Sequence, residues 1–101
     1  MKIVWSPLAL ERVDDIAQYI AEDKPAVAVK WVEELFATVE RLADFPESGR
    51  MVPEVGAQRI REVMFGAYRI IYSVKDQVDI LTVRRSNQLL PESELGGVGG
   101  D

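Results

Sequence analysis

The chain has 101 residues, 48% of them hydrophobic and 29% charged, with a formal net charge of −5. That length suits one domain whose folding removes roughly 65% of the unfolded chain's surface from water, and no apolar run approaches the roughly 18 residues of a membrane helix. There is no cysteine and no histidine, which excludes disulfide staples, thiolate metal sites and a cysteine nucleophile, and removes the commonest general base near neutral pH.

The chain starts with MKIVWSPLALER, where Pro7, Glu11 and Arg12 interrupt any apolar stretch before it could serve as a secretory signal. A cytoplasmic location is therefore expected. Within it, residues 2–5 form a short β-prone run followed by Ser6 and Pro7, an N-cap and first helical position. Leu10, Val13, Ile16, Ala17 and Ile20 recur at helical spacing and predict a first helix ending near Glu22. Pro25 opens a second, whose apolar stripe runs through Ala28, Trp31, Val32, Leu35, Phe36, Val39 and Leu42. The short connection between them predicts an antiparallel hairpin. Residues 45–56, with two prolines and two glycines, read as loop, Gly49 and Pro53 being turn formers.

After that loop the period changes to two. Residues 58–65, 67–74 and 77–84 predict three antiparallel strands, the first two joined by a type II′ turn at Gly66-Ala67 and the next two by Lys75-Asp76-Gln77. The fold class is α+β, in the order β-α-α-β-β-β, with the hairpin on one face of a small, mainly antiparallel sheet to which residues 2–5 could add a strand. Residues 1–95 form a single domain, and 96–101 read as a flexible glycine-rich tail.

Charge is segregated along this order. Residues 1–57 carry six basic and eleven acidic groups, 58–85 six basic and three acidic, and 86–101 three acidic and none basic. The basic middle segment contains Arg59, Arg61, Arg69, Arg84 and Arg85. The turn at Gly66-Ala67 sets Met64 opposite Arg69, Glu62 opposite Ile71 and Arg61 opposite Tyr72. Alternation then separates Arg69, Ile71 and Ser73 from Tyr68, Ile70, Tyr72 and Val74. The second, more apolar set should meet the helices, leaving Arg69 on the open face or at its border. There it could pair with Glu62 as a surface salt bridge worth about 0–1 kcal/mol. Five guanidiniums on neighbouring strands also read as an anion-facing surface, since the planar fork suits phosphates and carboxylates. Tyr68 and Tyr72 read as sheet-packing residues, and Trp5 and Trp31 as core or groove residues.

The sequence blocks PESGRMVPE (46–54), RIRE (59–62), GAYRIIY (66–72) and VDILTVRRSNQLLP (78–91), following a strand and a helical hairpin, resemble the RelE/ParE superfamily of type II toxin–antitoxin toxins. The resemblance covers residues 1 to about 95 and implies a toxin neutralised by a cognate acidic antitoxin. ParE-like members inhibit DNA gyrase and are not nucleases; RelE-like members enter the ribosome and cut mRNA. On the nuclease reading, Arg61, Arg69 and Arg85 would carry the reaction. No tyrosine or histidine follows Tyr72, however, so the terminal acid or base of that subgroup has no counterpart. The ParE-like reading is therefore preferred, with no catalytic residue, cofactor, metal or membrane involved and with Arg59, Arg61, Arg69, Arg84 and Arg85 contacting target or antitoxin. A ribosome-dependent endoribonuclease and an inactive descendant that only binds antitoxin are the alternatives.

Overall fold

The computed structural model describes residues 1–95; the expected glycine-rich tail, 96–101, lies outside the described residues. The elements are β1 (Ile3–Trp5), α1 (Pro7–Ala21), α2 (Pro25–Glu40), a 3-10 turn (Arg41–Ala43), β2 (Arg50–Met51), β3 (Ile60–Phe65), β4 (Tyr68–Val74), β5 (Val78–Arg85) and a final 3-10 turn (Glu92–Leu95). The strands form one sheet in the order β1-β5-β4-β3-β2. The β1–β5 pair is parallel and the others are antiparallel. The N-terminal run is thus an edge strand beside the last one. The stretch 45–56, expected to be loop throughout, contributes β2, two residues paired with Arg61 and Glu62 of β3.

Ser6 explains how the first strand passes into the first helix. Its Oγ accepts from Ala9 N at 3.0 Å, capping α1, and donates to Leu81 O at 2.9 Å, while its own N–H donates to Ile80 O at 3.0 Å. One residue therefore caps the helix and ties it to β5. Pro7 and Pro25 stand at the starts of the two helices, where the missing N–H would have had no helical partner.

The β3–β4 hairpin has the register deduced from the sequence: Met64 faces Arg69, Glu62 faces Ile71 and Arg61 faces Tyr72. Gly66 takes φ 56° and among the described residues no non-glycine has positive φ, which fits a type II′ turn and excludes type I′. Between β4 and β5 an irregularity at Ile71/Tyr72 pairs Ile71 with Thr82 but Tyr72 with Ile80. Leu81 is the extra residue, and the bulge keeps apolar side chains inward on both sides of it.

Two apolar clusters result, one on each face of the sheet. On the helical face Ile70, Tyr72, Val78, Ile80 and Val83 meet Ala9, Val13, Leu35, Val39 and Leu42. Aromatic rings bridge the wider gap to α2: Trp5 lies 4.8 Å from Phe36, and Trp31 5.5 Å from Tyr68 and 5.9 Å from Phe65. The opposite face is not open, as the sequence had suggested. Val52, Ile60, Ile71, Leu90 and Leu95 form a second cluster there, roofed by the segment around Val52 and by residues 90–95. Burying Leu90 and Leu95 contributes about 1.5–3 kcal/mol each, which helps hold the 90–95 segment against the sheet.

Gly49 is more than a turn former. Tyr72 Oη accepts from Gly49 N at 2.9 Å and donates to Pro46 O at 2.8 Å. A Cβ at position 49 would lie 2.5 Å from Tyr72 Oη and 2.6 Å from Glu62 O. Backbone approach to the buried phenol therefore requires glycine. Gly49→Ala should lower unfolding stability by about 1–3 kcal/mol through overpacking, measured by urea denaturation; an unchanged midpoint would show that this contact does not constrain the loop.

Candidate functional site

The arginine placed by the sequence on an open face is enclosed. Arg69 is 5% exposed. Its Nε donates to Glu62 Oε1 at 2.6 Å, and Nη1 and Nη2 form a two-pronged contact with Glu54 at 2.7 and 2.8 Å. Nη1 also donates to Gln88 O at 3.1 Å. Glu62, itself 1% exposed, accepts from Arg50 Nε at 2.6 Å through its other oxygen, and Glu54 Oε2 accepts from Leu90 N at 3.1 Å. The alternation that assigned Arg69 to the face away from the helices holds. What differs is the cover over that face, which brings Glu54 down onto the guanidinium. Pairing with Glu62 occurs as well, but inside the protein.

Charge on this network is locked. The hydrogen bonds from Arg69 outweigh partial burial and hold the Glu54 carboxyl down to about 2, and the same contacts, Glu54 first, raise Arg69 above its already high ordinary value. A second knot lies nearby. Glu94 Oε2 accepts from Arg12 Nη2 at 2.9 Å and from Arg84 Nη1, and Oε1 accepts from Thr82 Oγ1 at 2.6 Å. Burial pushes the Glu94 carboxyl up, but the Thr82 hydroxyl and the guanidiniums of Arg12 and Arg84 prevail and leave it below the usual range.

The remaining cations diverge. Arg61 shares the face of Tyr72 and donates to Gly49 O at 2.9 Å, bracing the 46–49 loop. Half-buried Arg59 precedes β3. Arg85 is exposed, with its guanidinium carbon 5.7 Å from the Tyr68 ring centroid. Arg69 and Arg84 are register partners, as are Tyr68 and Arg85, so alternation divides the five arginines between the two faces instead of gathering them into one patch. The sequence reading missed Arg12, which joins Glu94 from α1, and also Glu54 and Glu94. Their signal, isolated acids in a proline-rich loop and in the C-terminal segment, has no periodicity to read.

Among the described residues no group of three or more acidic, histidine or cysteine side chains could share a metal ion, and no helix is long and apolar enough to cross a membrane. The buried Tyr72 phenol is pushed up by burial against the opposing Gly49 N–H, and bonds the backbone of Gly49 and Pro46. The arrangement can present charges and an aromatic surface.

A helical hairpin packed on a mixed five-stranded sheet defines a small α+β protein. The family model described as "ParE toxin of type II toxin-antitoxin system, parDE" matches residues 3–90, and the chain belongs to this family, within the RelE/ParE superfamily. A curated relative from Sinorhizobium fredii (strain NBRC 101917 / NGR234), "Putative toxin Y4kP", is 34% identical over 93 residues, covering 90% of this chain and 94% of the relative. Among solved structures, a chain of "Chromosomal ParDE TA system from P. aeruginosa" superposes with a TM-score of 0.72 at 21% identity, over 84% of this chain and 95% of that one. This last likeness bears on the fold.

Arg69→Ala would strand Glu62 in the interior with Arg50 alone, so it should cost about 3–5 kcal/mol. Arg69→Met combined with Glu62→Gln should recover part of that loss, both read from urea midpoints. A single variant as stable as the parent would show that the network is not structural. The depressed Glu54 carboxyl adds stability that is fully present above its ordinary value of 4.5 and fades as pH falls toward about 2, and the lowered Glu94 carboxyl acts in the same direction. Glu54→Gln should flatten the fall of the midpoint over that window; an unaltered acid limb would rule out the Glu54 contribution.

Proposed function

We propose that the protein is a growth-arresting toxin that binds and inhibits DNA gyrase without chemistry of its own, and that a cognate acidic antitoxin neutralises it. Membership of the ParE family supports the toxin role. The observation that carries the choice of mechanism is the enclosure of Arg69 between Glu54 and Glu62. Cutting RNA by attack of a 2′-hydroxyl requires a group to take its proton and a donor for the leaving oxygen. On the nuclease reading Arg69 would have to abandon two carboxylates to reach a phosphate, and Glu62, the nearest acid, is 1% exposed and held by two arginines.

Contacts with target or antitoxin then fall to the cations near the surface, Arg59, Arg61, Arg84 and Arg85, with Arg69 serving the fold. Raised salt should weaken the antitoxin complex only in part, because apolar burial is little screened. The antitoxin is sought in the reading frame adjacent to this one, and its co-expression should restore growth.

In a supercoiling assay with purified gyrase, relaxed plasmid and ATP, the protein in molar excess should leave the plasmid relaxed. Undiminished supercoiling would refute gyrase as the target. A parallel translating extract should contain intact message; cleaved message would transfer the reading to the ribosome-dependent nuclease.

A further inference from the structure

A cavity of about 290 Å³ lies between α1 and the C-terminal half of β5, lined by Arg12, Asp15, Ile16, Tyr19, Tyr68, Val83, Arg84, Arg85 and Gln88. It exists because β1 is short. Pairing of β1 with β5 covers only Val78 to Ile80, so on the side away from β4 no strand among the described residues flanks Thr82–Arg85, and α1 crosses above that uncovered edge. Ile16 and Val83 supply apolar walls, and the rings of Tyr19, 69% exposed, and Tyr68 supply aromatic ones.

The charges around this cavity do not balance. Arg12, Arg84 and Arg85 bring three guanidiniums, against Asp15 on the wall and Glu94 behind it bridging Arg12 to Arg84, which leaves one positive charge over. Moreover, among the described residues the Nε atoms of Arg12 and Arg84 are buried without a hydrogen-bond partner, a state proteins rarely leave unmet. Arg85 is exposed and reaches no carboxylate among the described residues; its guanidinium lies over Tyr68. One further carboxylate at Arg85 would neutralise the excess.

We propose that this cavity seats a single apolar side chain of an acidic polypeptide, with a carboxylate beside that side chain captured by the exposed guanidinium of Arg85. The volume falls at the lower end of the roughly 300–1,000 Å³ typical of small-ligand sites, which suits one side chain. A nucleic-acid strand instead needs a track of cations along successive phosphates. Here Arg61 and Arg69 are turned to other tasks, and the exposed acids Glu11, Asp14 and Asp15 of α1 would repel such a run. As the source of the polypeptide, the proposal rests on the antitoxin reading above; the chemistry of the cavity does not.

The test is an amide-shift titration of the ¹⁵N-labelled full chain with the blocked peptide N-acetyl-Asp-Phe-Glu-amide. The comparison ligands are N-acetyl-Asn-Phe-Gln-amide and inorganic phosphate. Saturable shifts are expected at Tyr19, Tyr68, Arg84, Arg85 and Gln88, with the neutral peptide and phosphate each weaker by about tenfold or more. Arg85→Gln, a change at an exposed position, should remove most of the preference for the acidic peptide. Equal affinity for the two peptides, shifts centred elsewhere, phosphate binding as tightly, or an unaltered preference in Arg85→Gln would each overturn the proposal. Neither gyrase nor antitoxin enters this titration, so its failure leaves the supercoiling and growth outcomes standing, and their failure leaves these shifts in place.

Discussion

The contact of Arg69 with Glu62 and Glu54 is the constraint on which the second layer of the molecule depends. A guanidinium at 5% exposure is costly to desolvate, and only a full set of hydrogen bonds makes it tolerable. Glu62 supplies part of that set from the neighbouring strand, and Glu54 supplies the two-pronged remainder from the loop. Because Glu54 also accepts from Leu90 N and Arg69 donates to Gln88 O, one ionic knot fastens β2, β3, β4, the loop after β2 and the C-terminal segment. The apolar roof of Val52, Leu90 and Leu95 then closes over the sheet. Hydrophobic burial provides the non-directional part of this closure; the ion pairs provide registration, since a planar fork fits its carboxylates in few orientations.

Closure of both sheet faces changes what the surface can offer. The helical face is filled by the hairpin, and the opposite face, where a basic platform for RNA would have to be, is occupied by the protein's own chain and neutralised by its own carboxylates. What remains for partners is the rim: the upper edge of β5 beyond β1, the edge of β3 beyond β2, where Met64 is 46% exposed, and the helices with exposed Leu10, Tyr19, Val27 and Val29.

Much of the fold was legible in the chain. Ser6-Pro7 and Pro25 mark helix starts because capping chemistry is local, and Gly66 marks the hairpin because only a residue tolerant of positive φ suits that turn. Given the turn, the pairing of Arg61, Glu62 and Met64 follows from counting. The two-residue β2 was not legible: its pairing depends on where Glu62 and Arg61 come to lie, and it is too short to show alternation.

The candidate site divides along the same line. Sequence by itself determined that cations concentrate in the strands, that Arg69 points away from the hairpin, and that histidine and cysteine chemistry is absent, because composition and a period of two are local properties. Only the tertiary structure decided that Arg69 is interior, that Arg12 meets Arg84 through Glu94, and that Arg85 rests on Tyr68. Those outcomes depend on acids 15 and 82 residues distant along the chain from the arginines they bind, brought near by loops that obey no period. Electrostatic pairing acts through space, and burial sets its strength.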